Sequence, residues 1–193
     1  TFELTFYGNP AAADSSGAVF KKAGEPFNIQ VAARGADGAV TPNFGQEISA
    51  ETVGFVQTLI APAGGVNLAL SGSFNGFGTD CASNSIPGYA CGQFDWDEVG
   101  ILDLTPEVGD QDYLGAGNVT GSSSGNVGRF YAANFSVIPN SPMLIDACTS
   151  GANNYTYIGQ DFSFLIDPKL TIRALGVGGD VLSNYDDQFW KLS

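Results

Sequence analysis

The strand pattern that opens at Phe27 comes round again 141 residues later, and no other feature narrows the available folds as far. At that shift Ile29, Val31, Ala33, Gly35, Gly38, Val40, Asn43 and Phe44 fall on Leu170, Ile172, Ala174, Gly176, Gly179, Val181, Asn184 and Tyr185. Upstream, AGEPF at Ala23 to Phe27 matches IGQDF at Ile158 to Phe162 once a six-residue insertion before Pro168 is allowed, and the opening strands Phe2 to Phe6 and Asn134 to Ile138 correspond. Each copy reads as strand, Gly-x-x-Phe, strand, Gly turn, Asn-aromatic. Alternation of apolar and polar residues with period two specifies strands, because successive side chains of an extended chain point to opposite faces. The glycines supply turns between them.

The copies are unequally complete. After Phe44 the first continues through GQEISAETVGF, VQTLIAP, VNLALSGSF and EVGILDLTP, enough strands for a two-sheet unit of immunoglobulin-like size. After Tyr185 the second has DDQFWKLS. The expected fold is therefore all-β, two tandem immunoglobulin-like β-sandwich units of which the second is incomplete. The boundaries read as 1–120 for the first, 121–126 for a Ser/Gly linker and 127–193 for the second. Trp96, Val99, Ile101 and Leu104 are expected in the core, and Tyr131, Ala133, Phe135 and Val137 alternate as a strand after the linker. No segment of ten or more residues keeps a helical apolar period.

Charge then removes whole classes of partner. The chain of 193 residues has 20 acidic against 7 basic side chains and a net charge of −13, which repels phosphate backbones and anionic lipid. Nucleic acid and membrane insertion are not expected, and no apolar run is long enough to span a bilayer as a helix. The chain opens at Thr1 without a basic and apolar leader and is expected to be a mature or excised piece. Cys81 and Cys91 bracket CASNSIPGYAC, whose Asn84, Pro87 and Gly88 are turn formers, so their pairing would close a short ring and imply an oxidising compartment. Structural zinc wants four ligands, and the chain has three cysteines and no histidine. Cys148 is left over, either a buried thiol or half of a bridge to a segment outside the chain.

The strings AGEPFNIQVAARGADGAVTPNFG, FDWDEVGILDLTPEVGDQDYLGAG, NVGRFYAANFSV, NNYTYIGQDF and LTIRALGVGGDVLSNYDDQFWKL, in that order from about Phe20 to the end, resemble the C-terminal region of MshQ-type proteins. That family is linked to biogenesis of the mannose-sensitive haemagglutinin pilus. Its members tend to have Pro and His after GRFY, where this chain has Ala132 and Asn134. The resemblance implies a secreted or cell-surface protein of a Gram-negative bacterium, associated with type IV pili, and carries over no catalytic residue.

Several side-chain groups have the composition of a site. G-x-S-x-G occurs at Gly121 to Gly125 with Ser123 in the nucleophile position, but within a linker composition and with no histidine in the chain to act as base. Asp95, Asp97, Glu98 and Asp103 are close in sequence, yet Asp97 and Glu98 point to opposite faces of a strand, and nothing fixes a second carboxylate across a cleft as a glycosidase requires. Calcium is the expected cofactor if there is one: Asp95 with Asp97, and Asp110 with Asp112, are oxygen-rich clusters beside glycine turns, with turn capping as the alternative. A binding surface is expected on the loop pinned by the disulfide, at Phe74, Asn75, Phe77, Asn84 and Tyr89.

These observations converge on a non-enzymatic extracellular module serving adhesion or pilus-associated display. The expected partners are pilus or surface-assembly proteins, glycans, or the chain itself. In the last case Thr1 to Tyr7 of one molecule would add to an open edge beside Leu170 to Ala174 of the next, giving a self-assembling filament; the alternative is that the missing strands lie downstream in a longer parent chain, and a structural stalk with no ligand is a separate reading. A carbohydrate-active enzyme is the reading from a different class.

Overall fold

The computed structural model describes residues 1–145, 148–150 and 153–191, without the side chains of residues 148–150, 153, 154 and 187. The described chain is all-β and divides into two compact units, Thr1–Asn134 with Leu175–Ser193, and Phe135–Ala174.

The first unit contains β1 (Phe2–Phe6), β2 (Phe27–Ala33), β3 (Val53–Ala61), β4 (Ser71–Phe74), the two-residue strands β5 (Gly78–Thr79) and β6 (Ser85–Ile86), β7 (Tyr89–Asp95), β8 (Gly100–Val108) and β9 (Val127–Phe130). One sheet has the order β1-β2-β7-β4, the other β3-β8-β9, and the pairings are antiparallel. The sheets face each other as a sandwich, because their inward positions alternate with polar ones. In β2, Phe27, Ile29 and Val31 are buried while Asn28 is exposed and Gln30 half-buried. In β8, Leu102, Leu104, Pro106 and Val108 are buried between the half-buried Asp103, Thr105 and Glu107. Pro106 is tolerated in a central strand because of direction: the N–H groups of Leu104 and Val108 point to residues 119–124, where no regular strand needs the donor that proline lacks.

Two clusters fill the sandwich. Phe2, Val31, Ala33 and Ala90 of one sheet meet Val53 and Val108 of the other together with Phe44 and Phe77. Phe27, Ile29 and Phe94 meet Leu102, Leu104, Val127 and Phe130, with Trp96 alongside. Phe130 is the hub of the second cluster, its ring centroid 5.2 Å from Trp96 and 5.5 Å from both Phe20 and Phe27. Trp96 satisfies its indole N–H on the Leu68 carbonyl at 2.6 Å.

The second unit contains β10 (Asn134–Pro139), β11 (Met143–Ile145), β12 (Cys148–Ser150), β13 (Asn153–Tyr155), β14 (Ser163–Ile166) and β15 (Leu170–Leu175). They pair as β10 with β15, β11 with β14 and β12 with β13, a nested order of three two-stranded segments. Large apolar side chains along it are exposed, among them Phe135, Val137, Met143, Phe162, Leu165 and Leu170. The strand expected from Tyr131 begins at Asn134, and Tyr131 makes a bridge to Lys22 instead.

The internal repeat is present down to individual backbone hydrogen bonds. Thr1 N–H donates to the Arg34 carbonyl at 3.0 Å, and Ala133 N–H to the Leu175 carbonyl at 2.9 Å. Arg34 bridges Val40 as Leu175 bridges Val181, and the bonds Gly35 to Ala39 and Gly38 to Gly35 recur as Gly176 to Asp180 and Gly179 to Gly176. Glu25 N–H donates to the Lys22 carbonyl, and Gln160 N–H to that of Tyr157; each side chain, Glu25 or Gln160, then accepts from the N–H of residue 22 or 157. Gly24 and Gly159 hold φ of 78° and 82° in this turn, a region that L side chains resist.

The organisation differs from the expected division at three points, the first being that residues 175–193, expected in the second repeat, belong to the first unit. Residues 121–126 lie along β8, with Gly121 N–H on the Pro106 carbonyl, Ser124 N–H on that of Leu104, and Leu104 N–H on Ser124 Oγ, so they are not a free spacer. Val127–Phe130, expected to open the second repeat, completes the β3-β8-β9 sheet of the first unit. The buried Val127 and Phe130 side chains cause this, because the first sandwich needs them to close its core.

Candidate functional site

The expected disulfide is formed: Cys81 and Cys91 are bridged, with their Cα atoms 4.8 Å apart. It ties the loop after β5 to the middle of β7. Asp80 shapes that loop by accepting from the N–H groups of Ala82 and Asn84 and, through its second oxygen, from the Asn84 amide. Those bonds, the Asn84 side chain first, hold the Asp80 carboxyl below its ordinary range. Asn84 therefore builds the loop it was expected to present.

The aromatic residues expected to bind a ligand are drawn inward. Phe77 is buried edge-on against Phe44 at 4.7 Å, and its carbonyl accepts from the Gln46 amide. Phe74 packs on Phe94 and Phe55 at 5.1 and 5.3 Å. Tyr89 is half-buried on β7, and Asn75 N–H is spent on the Cys91 carbonyl. A cleft of about 290 Å³ remains beside them, lined by Glu51, Thr52, Ser73, Phe74, Asn75 and Phe77 among others. It shares Val53 and Ser73 with a groove of about 340 Å³ between the β3 and β4 edges, where Phe55, Phe94, Gln57 and Asn67 contribute. Aromatic walls with amide and hydroxyl groups suit a neutral, hydroxyl-bearing ligand. The Gln57 amide is already committed, donating to the Leu68 carbonyl and accepting from Leu70 N–H.

Among the expected calcium ligands, Asp110 accepts from Asp112 N–H and Asp112 from Gly117 N–H, so both cap the turn after β8. Burial, and then the neighbouring Asp97 charge, push the Asp95 carboxyl above its usual range. Among the described residues, no three His, Cys, Asp or Glu side chains are grouped to hold a metal ion. The Ser123 hydroxyl donates to Asp103, which also accepts from Ser124. Cys148 lies on a strand whose side chains fall outside the described residues.

A buried polar cluster escaped sequence reasoning. Glu98, 4% exposed, accepts from the N–H groups of Ser183 at 2.6 Å, Asn184 at 2.9 Å and Val99 at 3.2 Å. The Asn184 side chain, 2% exposed, in turn accepts from Val66 N–H and donates to the Val66 carbonyl. A carboxylate and an amide thus fasten residues 183–184 to the first sandwich, with Leu182 and Phe189 buried on either side. The aligned pair Asn43 and Asn184 was the one available signal, since Glu98 reaches its partner across 86 residues.

Comparison with known proteins matches residues 1–86 to the second domain and residues 98–193 to the third domain of DUF6701, an uncharacterised family. No curated protein and no solved structure matches the chain. No helix among the described residues is long and apolar enough to cross a membrane.

Proposed function

From a chain that belongs to the DUF6701 family and carries its second and third domains, we propose a non-enzymatic extracellular module of a Gram-negative cell surface, acting in adhesion or pilus-associated display. The observation that carries this reading is the two-stranded second unit, which leaves Val137, Met143, Phe162, Leu165 and Leu170 exposed. Each such side chain gives up about 1.5–3 kcal/mol of burial, and a two-stranded ribbon is marginal alone, so this unit is built for a partner. The disulfide suits an oxidising compartment, and the resemblance to MshQ-type proteins supports the pilus association. The sandwich itself is the adhesive body, of immunoglobulin-like size. A structural stalk is the second reading, favoured by the tandem repeat.

Fluorescently labelled chain incubated with piliated Gram-negative cells and isogenic pilus-less cells tests the proposal. Binding several-fold stronger to the piliated cells is expected. Equal binding to both contradicts the pilus association, and absence of binding to either favours the stalk. Turnover on a glycan panel, abolished by Asp97→Ala or Asp103→Ala, would replace the module with an enzyme.

A further inference from the structure

Asn75 and Gly76 follow β4 as the one Asn-Gly pair in the chain, and the fold leaves the reactive groups of both unoccupied. Both residues are exposed. Among the described residues neither the Asn75 side-chain amide nor the Gly76 N–H has a hydrogen-bond partner, although the Asn75 N–H is bonded to the Cys91 carbonyl at 2.9 Å. A side-chain carbon placed on Gly76 would meet no atom within 4 Å, so nothing packs against this peptide. Comparable pairs elsewhere are held. The amides of Asn84 and Asn140, each followed by a serine, donate to the Asp80 carboxylate and to the Asp167 carbonyl. In Asp37-Gly38 the Gly38 N–H donates to the Gly35 carbonyl at 3.1 Å, and the Asp37 carboxylate accepts from Ala39 N–H at 3.0 Å.

We propose that Asn75 is a site of spontaneous covalent modification, at which attack by the Gly76 nitrogen converts the side-chain amide to a carboxylate. The Gly76 nitrogen gives up its proton to hydroxide and bonds to Cγ of Asn75. The Cγ–Nδ2 bond breaks, the amide nitrogen takes a proton from water and leaves as ammonia, and a cyclic imide remains. One water then opens the imide. Opening at Cγ gives aspartate, and opening at the backbone carbonyl gives isoaspartate, in which the main chain runs through the former side chain. The balance is one water consumed and one ammonia released. Glycine favours the attack because without a Cβ its nitrogen swings toward the preceding side chain unhindered. An N–H without an acceptor has no bond to give up first, and the reacting groups are already joined in one molecule.

The place of the modification gives it a consequence. Asn75 lines the cleft of about 290 Å³ together with Glu51, Thr52, Ser73, Phe74 and Phe77. Conversion removes an amide donor from that lining and adds a negative charge where Glu51 already supplies one. A neutral, hydroxyl-bearing ligand loses a donor there, while a cationic group gains a second carboxylate. Isoaspartate also lengthens the main chain between β4 and the buried Phe77. The cleft therefore has two chemical states, set by the age of the molecule. This chemistry does not depend on the pilus association proposed above.

The purified chain is incubated at mildly alkaline pH and mapped by peptide mass spectrometry, with isoaspartate separated from aspartate by chromatography. Conversion at Asn75 is expected to exceed that at Asn84 and Asn140 by at least about tenfold, with isoaspartate among the products. An exposed, unbonded loop needs almost no opening, so unfolding in guanidinium should change the Asn75 rate by less than about fivefold, whereas it should speed isomerisation of Asp37 by more than that. Gly76→Ala, which the open space accommodates, should slow Asn75 by at least about tenfold with Tm unchanged. A smaller lead of Asn75 over Asn84 and Asn140, or a larger acceleration of Asn75 on unfolding, overturns the proposal, because the native loop then protects the pair. An unchanged rate in Gly76→Ala with the fold intact overturns it equally, because the glycine then plays no part.

Discussion

Replacing Glu98 by alanine strips the acceptor from three backbone N–H groups, those of Val99, Ser183 and Asn184. Hydrogen bonds to a charged group contribute about 1.5–3 kcal/mol each, and a buried donor left unpaired costs about 1–3 kcal/mol. These terms overlap, and Ser183, at the rim, regains water when its partner is lost. A net loss of about 3 kcal/mol follows, which for a chain of this size lowers Tm by about 6–12 °C. Because Asn184 is both a donor to Glu98 and the partner of Val66, the loss spreads to the docking of residues 182–190. Thermal unfolding followed by circular dichroism gives the magnitude, and amide exchange at Ser183 and Asn184 gives the place. Glu98→Gln, which keeps one carbonyl oxygen but turns an NH₂ toward the donors, should lose roughly half as much. A loss below about 1 kcal/mol, or one without faster exchange at residues 183–184, refutes the view that this carboxylate fastens the segment.

Reducing the Cys81–Cys91 bridge should cost about 2.8 kcal/mol in the chain-entropy model for so short a ring, visible as a lower Tm with an unchanged far-ultraviolet spectrum at room temperature. Ile29→Ala should cost about 2–5 kcal/mol in denaturant unfolding, whereas Leu170→Ala, at the equivalent place in the repeat, should stay within about 0.5 kcal/mol. Asp95→Asn should raise Tm at pH 7. Its folded carboxyl is pushed up by burial and by Asp97, so the unfolded chain ionises more readily. That penalty is present above the folded pKa and vanishes as pH falls below the ordinary carboxyl range, so wild type and variant should converge in acid.

The repeat was legible because the elements that define it are local. Gly24 and Gly159, Gly38 and Gly179, and the alternating strands beside them are each set by a few neighbouring residues, and the same backbone bonds appear in both copies. The division of the chain was not legible, because Val127–Phe130 serves a sheet whose other strands begin at Val53 and Gly100. Composition marked residues 121–126 as a linker, but composition does not record that Ser124 finds Leu104 across 20 residues. The expected binding aromatics failed to separate from core for a similar reason. Phe74 and Phe77 sit on a loop by sequence, and only the facing Phe55, Phe94 and Phe44 turn them inward. Polar residues are ambiguous in the same way, since Asp110, Asp112 and Asn84 have the chemistry of ligands and hold turns in the structure.

The central claim is that one strand pattern is buried throughout in its first copy and is left open at its Leu170 end in its second. Amide hydrogen exchange of the unmodified chain at low concentration, resolved by residue, tests it most directly. The account predicts slow exchange at Ile29, Val31 and Ala33, close to the global opening limit, and exchange at Leu170 and Ile172 faster by at least about a thousandfold. Equal protection of the two sets would contradict it.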